Sequence, residues 1–184
     1  MSQPCTQIPT GPAAGAARRF CAALPRIETD RLVLRAPELK DFPVWTRFFG
    51  AGGFDGDEER AWDEFCGYTA SWLLRGAGLL SITLRGDDTA LGFVFLGMEW
   101  EDLETELGWM LDETARGHGY ATEAARALQN HGFDLFGDGG FVSYIDRKNT
   151  ASRAVAGRLK LQREPNPLQH DGDTVDVFRH VRAA

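Results

Sequence analysis

The stretch that decides the fold runs from residue 106 to residue 124 and reads ELGWMLDETARGHGYATEA. Residues 105–111 are typical of a β-strand, and small or apolar residues recur at helical spacing between positions 119 and 136. Gly117 and Gly119 lie in the short segment between these two patterns. The stretch therefore predicts a strand, a tight turn and a long helix that begins at the second glycine.

The turn before this helix is suited to binding an anion. Gly117 and Gly119 allow unusual backbone angles and the close approach of a ligand. The first N–H groups of a helix have no intrahelical partner, and together with the helix dipole they favour a pyrophosphate. A glycine-rich helix start without any ligand is the alternative that these two glycines alone leave open.

Two common phosphate-binding motifs do not match this turn. A dinucleotide-binding turn has the pattern G-x-G-x-x-G, but Thr122 stands where its third glycine would be. A P-loop has Gly-Lys-Ser/Thr, which is absent here. The pattern that fits is Arg/Gln-x-x-Gly-x-Gly/Ala between a strand and a helix, which residues 116–121 match position by position.

The rest of the chain predicts a mixed α/β fold. Apolar patterns indicate strands, two amphipathic helices, and a later helix that Asn149 caps. The predicted order is β-α-α-β-β-β-α-β-α-β-β, which indicates a partly antiparallel sheet with one β-α-β unit near its centre. The predicted strands lie at about 31–35, 79–84, 90–96, 105–111, 141–145 and 175–181, and the first two helices at about 42–49 and 62–73.

Composition excludes several classes of protein. The 184 residues carry a net charge of −7, which argues against a partner that is a nucleic acid or an anionic membrane surface. No apolar run approaches the length of a membrane span. Three cysteines and four scattered histidines give neither a disulfide framework nor metal-type spacing, so we expect no metal and a reducing, cytoplasmic location.

The chain is expected to hold one folded domain. Residues 1–25 are rich in Ala, Gly and Pro, and we interpret them as a flexible or loosely docked tail. Arg18 and Arg19 precede only a short apolar patch, which is unlike a signal peptide. No second change in composition follows, so the domain is predicted to span residues 26–184.

Three ordered segments resemble the GNAT superfamily of acyl-CoA-dependent N-acetyltransferases, and within it the RimJ/RimL-like branch. Residues 27–35, IETDRLVLR, resemble the first strand of that branch, and the 106–124 stretch resembles its acetyl-CoA motif. Asn149-Thr150-Ala151-Ser152 is similar to its second motif, Asn-x-x-Ser. The resemblance implies the GNAT fold, a splayed mixed sheet flanked by helices, and transfer of an acetyl group from acetyl-CoA to a primary amine in a ternary complex.

The resemblance also assigns the residues that would bind the cofactor. Pantetheine would pair like an extra strand with backbone groups of the 106–111 strand, and one of the strand's amides would stabilise the oxyanion. Backbone N–H groups of the turn would hold the pyrophosphate, with added positive charge from Arg116. The implied cofactor-binding residues are Trp109, Met110, Leu111, Arg116, Gly117, His118, Gly119, Tyr120, Ala121, Asn149 and Ser152.

Catalysis needs a group that deprotonates the ammonium and a donor for the departing thiolate. By family position, Ser152 is the expected donor, although its hydroxyl could instead bond to local backbone. Glu106 and Glu164 are the two candidate bases, each with the alternative of an ordinary surface charge, and water relays could replace both.

The identity of the amine acceptor is the part of the function that the sequence determines least. Five acids between Glu99 and Glu106 would attract a cationic amine, unless they form a solvated loop. Phe54 and Trp100 are expected to line the acceptor cleft. A protein or peptide N-terminal amine and a small-molecule amine, such as a free amino acid, a polyamine or an antibiotic amine, all remain open. A monomer and a homodimer also remain open.

Two departures from the family pattern lie beyond the second motif. The family's helix usually ends in Gly-Phe, where this chain has Lys160-Leu161, and Gly157 interrupts the helix. Three alternative functions remain: a non-catalytic acyl-CoA-binding or regulatory module, a transferase for another short acyl-CoA, and, more remotely, a nucleotide-binding oxidoreductase.

Overall fold

The computed structural model describes residues 3–50, 57–100, 102–170 and 172–182. Phe54, which was expected at the acceptor cleft, lies outside the described residues. Within them, no helix is both long and apolar enough to cross a membrane.

The described part of the chain contains five α-helices and nine β-strands. The predicted order is confirmed, apart from one additional helix near the N-terminus and two additional short strands. The helices are α1 (Gly11–Ala23), α2 (Phe42–Gly50), α3 (Glu58–Arg75), α4 (Tyr120–Phe136) and α5 (Thr150–Leu159), and the strands are β1 (Ile27–Glu28), β2 (Leu32–Arg35), β3 (Leu79–Leu84), β4 (Asp87–Gly97), β5 (Glu106–Leu111), β6 (Val142–Asp146), β7 (Gln162–Arg163), β8 (Leu168–His170) and β9 (Asp173–Arg179).

The nine strands form one sheet in the order β1-β2-β3-β4-β5-β6-β9-β7, with β8 also pairing with β9. All neighbours are antiparallel except β5 and β6, which are parallel. The connection between these two strands contains α4, as a parallel pair requires. The predicted β-α-β unit is therefore confirmed and lies at the centre of the sheet.

Helices cover both faces of the sheet. One apolar cluster places Ala124 and Leu128 of α4 against Val94 and Leu107 of the sheet, all of them fully buried. A second cluster on the other face joins α2 and α3 to β4, where Trp45 packs edge-on against Phe93 with their ring centroids 5.2 Å apart. Burial on both faces explains why the central strands have nearly continuous apolar runs.

The N-terminal segment contains a helix that the sequence analysis did not predict. Helix α1 is rich in Ala, the residue with the highest helix propensity, and has a proline in its first turn. The next residue, Leu24, packs against the main apolar cluster. A domain boundary at residue 25 stays a prediction.

Candidate active site

The sheet divides between β5 and β6. Glu106 and Val142 form the one position at which these two parallel strands are paired within the described residues. The Val142 amide donates to the Thr105 carbonyl at 2.9 Å, and beyond this point the strands separate. On its other side β5 stays paired with β4 along its whole length, so the sheet has a wedge-shaped gap at its centre.

Two side chains occupy the backbone groups that would form the next rung of the ladder. In a continued parallel ladder the Tyr144 amide would donate to the Leu107 carbonyl. Instead the Ser143 hydroxyl donates to the Leu107 carbonyl at 2.5 Å, and the Tyr144 amide donates to Glu106 Oε1 at 3.4 Å. The gap therefore begins where side chains replace backbone partners.

A buried polar chain supports this interruption. The Gln129 amide nitrogen lies 3.1 Å from Nδ1 of His180, and Nε2 of His180 lies 2.9 Å from the Ser143 hydroxyl. Because the hydroxyl donates its proton to Leu107, Nε2 must donate to Ser143 and Nδ1 must accept from Gln129. Desolvation of the fully buried ring lowers the pKa of His180 to about 3, so the ring is neutral.

Alternation along β5 decides which backbone groups face the gap. The Asp112 amide donates to Leu91 of β4 at 2.8 Å, so even-numbered residues direct their backbone groups toward β4. Trp109 and Leu111 accordingly present theirs to the gap, where β6 leaves them without a ladder partner. Met110 pairs with Phe93 of β4, and its side chain packs in the α2–α3 cluster.

The glycine-rich turn has the expected conformation. Gly117 and Gly119 adopt φ values of +83° and +81°, in the left-handed region that favours glycine. Helix α4 begins at Tyr120, immediately after the second glycine. The first N–H groups of the helix are thus available at the end of the β5–β6 gap.

The side chains of Arg116 and Arg31 lie beside this turn. The Arg116 side chain is exposed and donates from Nε to the Leu111 carbonyl at 3.3 Å. Arg31 donates from Nη1 to the His118 carbonyl at 3.0 Å, and its guanidinium lies 4.8 Å from the centre of the Tyr120 ring. Sequence reasoning assigned Arg31 only to the first strand, because nothing in the local pattern shows a partner so far along the chain.

Glu123 fixes Arg31 in this position. Its carboxylate accepts from the Arg31 Nε at 2.7 Å and from the Thr29 hydroxyl at 2.6 Å. These charge-assisted bonds tie the start of β2 to the first turn of α4. Beside Gly119, between residues 27–30 and helix α4, lies a cavity of about 790 Å³. Its charged lining consists of the bases Arg126 and Arg158 and the acids Glu28, Asp30, Glu123 and Asp134.

Asn149 caps α5, as predicted. Its side-chain oxygen accepts a hydrogen bond from the Ser152 amide at 2.9 Å. The hydroxyl of half-buried Ser152 makes no hydrogen bond within the described part of the chain. Both residues follow directly after β6, the strand that forms one side of the gap.

Glu164 forms an ion pair with Arg179. Arg179 donates from Nε to Glu164 Oε1 at 2.7 Å. The same guanidinium binds both carboxylate oxygens of Glu104 at 2.8 Å. The structure therefore places Glu164 in a network that joins β9 to the loop before β5.

Glu106 lies in a different environment, among other acids. Desolvation, with the charges of Asp102 and Glu99, raises the pKa of Glu106 to about 8. Asp102 pairs with His170 at 2.7 Å and accepts from the Glu99 amide, while Glu99 itself accepts a hydrogen bond from the Tyr68 hydroxyl. A carboxyl group with such a pKa can exchange a proton near neutral pH.

Glu106 shares the α2–α3 side of the sheet with a second cavity. Side chains alternate along a strand, so Glu106 and Met110 lie on one face of β5, and Met110 packs in the α2–α3 cluster. The cavity has a volume of about 260 Å³. Its lining comes from α3 and from the end of β4, and consists of Glu64, Gly67, Tyr68, Ser71, Phe95, Met98, Glu99 and Trp100.

Comparison with known proteins identifies the family and the fold of this chain. The family model described as "Acetyltransferase (GNAT) domain" matches residues 31–162. An acetyltransferase from Agrobacterium tumefaciens, known from a crystal structure, is 33% identical, with a TM-score of 0.79 over 87% of this chain and 96% of that one. A RimL ribosomal L7/L12 α-N-protein acetyltransferase in complex with coenzyme A shares the fold, with a TM-score of 0.65 at 22% identity over 86% of this chain and 97% of that one.

A curated relative is matched over a shorter region. The Bacillus subtilis protein named uncharacterized N-acetyltransferase YnaD is 25% identical over 83 residues, which are 45% of this chain and 49% of that protein. The chain thus spans about half the length of this relative.

A mixed sheet that opens between two parallel strands, beside a glycine-rich helix start, defines an acyltransferase of the acyl-CoA-dependent class. The chain belongs to the GNAT acetyltransferase family. The family resemblance and the fold class predicted from the sequence are both confirmed.

Proposed function

We propose that this protein transfers an acetyl group from acetyl-CoA directly to a primary amine. The observation that carries the proposal is the β5–β6 gap, which leads from the glycine-rich turn to the carboxyl group of Glu106. A cofactor in the gap would reach its phosphate site at one end and a proton acceptor at the other.

The residues of the gap fit acetyl-CoA. The backbone groups of Trp109 and Leu111 that face the gap suit the amides of pantetheine, which would pair with β5 as β6 does not. The Leu111 carbonyl would exchange its bond from Arg116 for one from the cofactor. The pyrophosphate suits the N–H groups from Gly117 to Ala121, including those of His118 and Tyr120, beside exposed Arg116. Asn149 and Ser152 would face the thioester end.

In the proposed reaction, Glu106 removes a proton from the ammonium, directly or through water, and the amine nitrogen then attacks the thioester carbon. Acetyl-CoA supplies an activated acyl group. A backbone N–H of β5, for which Trp109 is suitably directed, stabilises the negative oxygen. The carbon–sulfur bond breaks as the new carbon–nitrogen bond is completed. The Ser152 hydroxyl gives its proton to the departing sulfur and regains one, directly or through water, from the attacking nitrogen. The sulfur thus leaves as the CoA thiol, and the nitrogen becomes a neutral amide.

Glu106 is the better candidate base of the two carboxylates. Glu164 is ion-paired with Arg179, whereas the interactions described for Glu106 include no ion pair. The raised pKa of Glu106 also matches a base that works near neutral pH. We retain Glu164 as the alternative base, to be compared by mutation.

Free thiols at Cys5, Cys21 and Cys66 support the proposed cytoplasmic location.

The acceptor would be a peptide or small-molecule amine, and the protein a monomer or homodimer.

The decisive experiment measures free thiol release from acetyl-CoA with a panel of amines and N-terminal peptides. Turnover that requires an amine, together with a product heavier by one acetyl group, supports the proposal. Binding of acetyl-CoA without turnover by any amine would instead favour a non-catalytic module. Competition by succinyl-CoA and other short acyl-CoAs at equal concentration would identify a different donor.

A further inference from the structure

The cavity beside Glu106 has acidic and aromatic walls. Glu99 and Glu64 contribute carboxylates, and Tyr68 and Trp100 contribute aromatic rings. The Trp100 side chain is fully exposed, although a large apolar group is normally buried. An exposed aromatic ring next to carboxylates is a favourable environment for an ammonium group.

Acidic side chains outnumber basic ones around Tyr68. Burial, followed by the charges of Glu99, Glu106 and Glu64, raises the pKa of Tyr68, and the Tyr68 hydroxyl donates to Glu99. Arg60 pairs with Glu64 at 3.2 Å, and His170 pairs with Asp102. These partners leave an excess of acids over bases in a region that includes the proposed base.

A polar group in the cavity wall also lacks a partner. Ser71 is 9% exposed and lines the cavity, and its hydroxyl oxygen is buried without a hydrogen-bond partner among the described residues. A buried hydroxyl without a partner is costly, and such groups in native proteins usually have a ligand or water to bind. A hydroxyl can accept a hydrogen bond from an ammonium. This observation is independent of the acidic residues, and a polar guest in the cavity would supply the missing partner.

Building on the acetyl transfer proposed above, we propose that the acceptor is a short aliphatic diamine. One amine is acetylated at Glu106, while the second, as an ammonium ion, occupies the cavity between Glu99, Tyr68 and Trp100. The products are the mono-acetylated amine, which keeps one positive charge, and the CoA thiol. A monoamine of the same length could reach Glu106 but would have no second ammonium group to place beside Glu99.

The test compares 1,4-diaminobutane with n-butylamine as acceptors. These amines have the same carbon chain and differ in the second ammonium group. We expect kcat/KM for the diamine to exceed that for the monoamine by about tenfold or more, mainly through a lower KM, as a desolvated ion pair and a cation–π contact together allow.

In Glu99→Gln the ratio of kcat/KM for the diamine to kcat/KM for the monoamine should fall toward one, while acetyl-CoA affinity stays unchanged. The ratio is the measured quantity because Glu99 also acts on the pKa of Glu106, which affects both amines alike. Asp63→Asn is the matched control, since Asp63 is exposed on α3, outside the cavity lining, and its replacement changes the net charge equally. The control should keep the diamine preference.

Equal use of the two amines by the wild-type protein, or an unchanged preference in Glu99→Gln, would overturn the inference. Acetylation of peptide N-termini in place of both amines would also overturn it, while the proposed acetyl transfer would stand. Failure of every amine and peptide, with acetyl-CoA bound, would reject the proposed function and this inference together.

Discussion

The hydroxyl of Ser143 lies 2.5 Å from the carbonyl oxygen of Leu107, the acceptor that the Tyr144 amide would use if β5 and β6 continued to pair. One side chain thereby ends a backbone ladder and opens the centre of the sheet. The opening is where the cofactor is proposed to bind, so this contact links a core hydrogen bond to cofactor affinity.

Replacing Ser143 by Ala should therefore weaken acetyl-CoA binding, because Leu107 becomes free to pair with Tyr144 and narrow the gap. His180 would also lose its acceptor, so we expect the free energy of unfolding to fall by about 1–3 kcal/mol. Isothermal calorimetry and urea unfolding measure the two effects. Ser81→Ala is the control, since Ser81 is equally buried and bonds to Asp41, remote from the gap. If both variants lose similar stability and Ser143→Ala keeps the wild-type affinity for acetyl-CoA, then Ser143 has a structural role only.

Gly119→Val should abolish acetyl-CoA binding. A β-branched side chain is strained at φ +81° and would obstruct the approach of the pyrophosphate to the start of α4. Gly137→Val is a matched control, because Gly137 has φ +77° at the opposite end of the same helix. Both variants are titrated with acetyl-CoA. Backbone strain is present in both, whereas the phosphate site is altered only in Gly119→Val, so Gly137→Val should still bind acetyl-CoA. Wild-type affinity in Gly119→Val would refute the phosphate-site assignment.

Ser152→Ala should slow turnover by about 10- to 1000-fold and leave acetyl-CoA affinity nearly unchanged. The hydroxyl is needed when negative charge forms on sulfur, so its loss affects kcat more than binding. Stability should change little, because the Asn149 side chain is the group that caps α5. Asn149→Ala, in contrast, should cost about 0.5–2 kcal/mol of stability. Wild-type turnover in Ser152→Ala would leave water as the proton source.

Activity should rise with pH up to about 8, where Glu106 loses its proton. Glu106→Gln should lower kcat/KM by about 10²- to 10⁴-fold and remove the rise that belongs to Glu106. The ionisation of the amine also contributes to the profile, so two acceptors of different basicity should be compared. A profile with the same midpoint in wild type and Glu106→Gln would exclude Glu106 as the base, and Glu164→Gln would then be the next variant to measure.

The same group makes stability depend on pH. The native pKa of Glu106 lies above the ordinary value of 4.5, so the native state binds its proton more tightly than the unfolded state. The contribution of this group to stability is therefore fully present below about 4.5 and is lost as the pH rises through about 8. Urea unfolding of wild type and Glu106→Gln between pH 5 and pH 9 should show this loss only in the wild type.

Helix α5 can be stabilised at its C-terminal end. Lys160 has φ +58° and is the one non-glycine residue in the left-handed region among those described. Lys160→Gly should relieve a strain of about 1–2 kcal/mol. Gly157→Ala should add about 0.5–1 kcal/mol, since a Cβ there meets no atom within 4 Å. Neither position contacts the gap, so acetyl-CoA affinity should stay constant while the urea midpoint rises.

The order of helices and strands could be predicted because it depends on local periodicity. Small and apolar residues recur at helical spacing between positions 120 and 136. Asn is a strongly preferred N-cap residue, and Asn149 stands directly before helix α5. The resemblance to a family then supplied the position of the gap and its turn. Helix α1 was missed because its glycines and prolines indicated a tail, although its alanines favour a helix.

The residues that shape the site could not be found in this way, because their partners are distant in sequence. Arg31 and Glu123 are 92 positions apart, and His180 meets Ser143 across 37. The environment that raises the pKa of Glu106 likewise depends on how α3 and the loop before β5 pack, which composition does not reveal. The ion pair between Glu164 and Arg179 was hidden for the same reason.

The single backbone pairing between Glu106 and Val142 has a consequence for how the protein unfolds. Strands β1–β5 and strands β6–β9 form two half-sheets that the ladder itself scarcely connects, so their cooperativity depends on the shared helix α4 and on whatever fills the gap. A cofactor that pairs with β5 and touches α5 acts as a missing strand between the halves. Amide hydrogen exchange of β6 and β9 should then slow on binding far more than that of β3, because the ligand couples the opening of one half-sheet to the other.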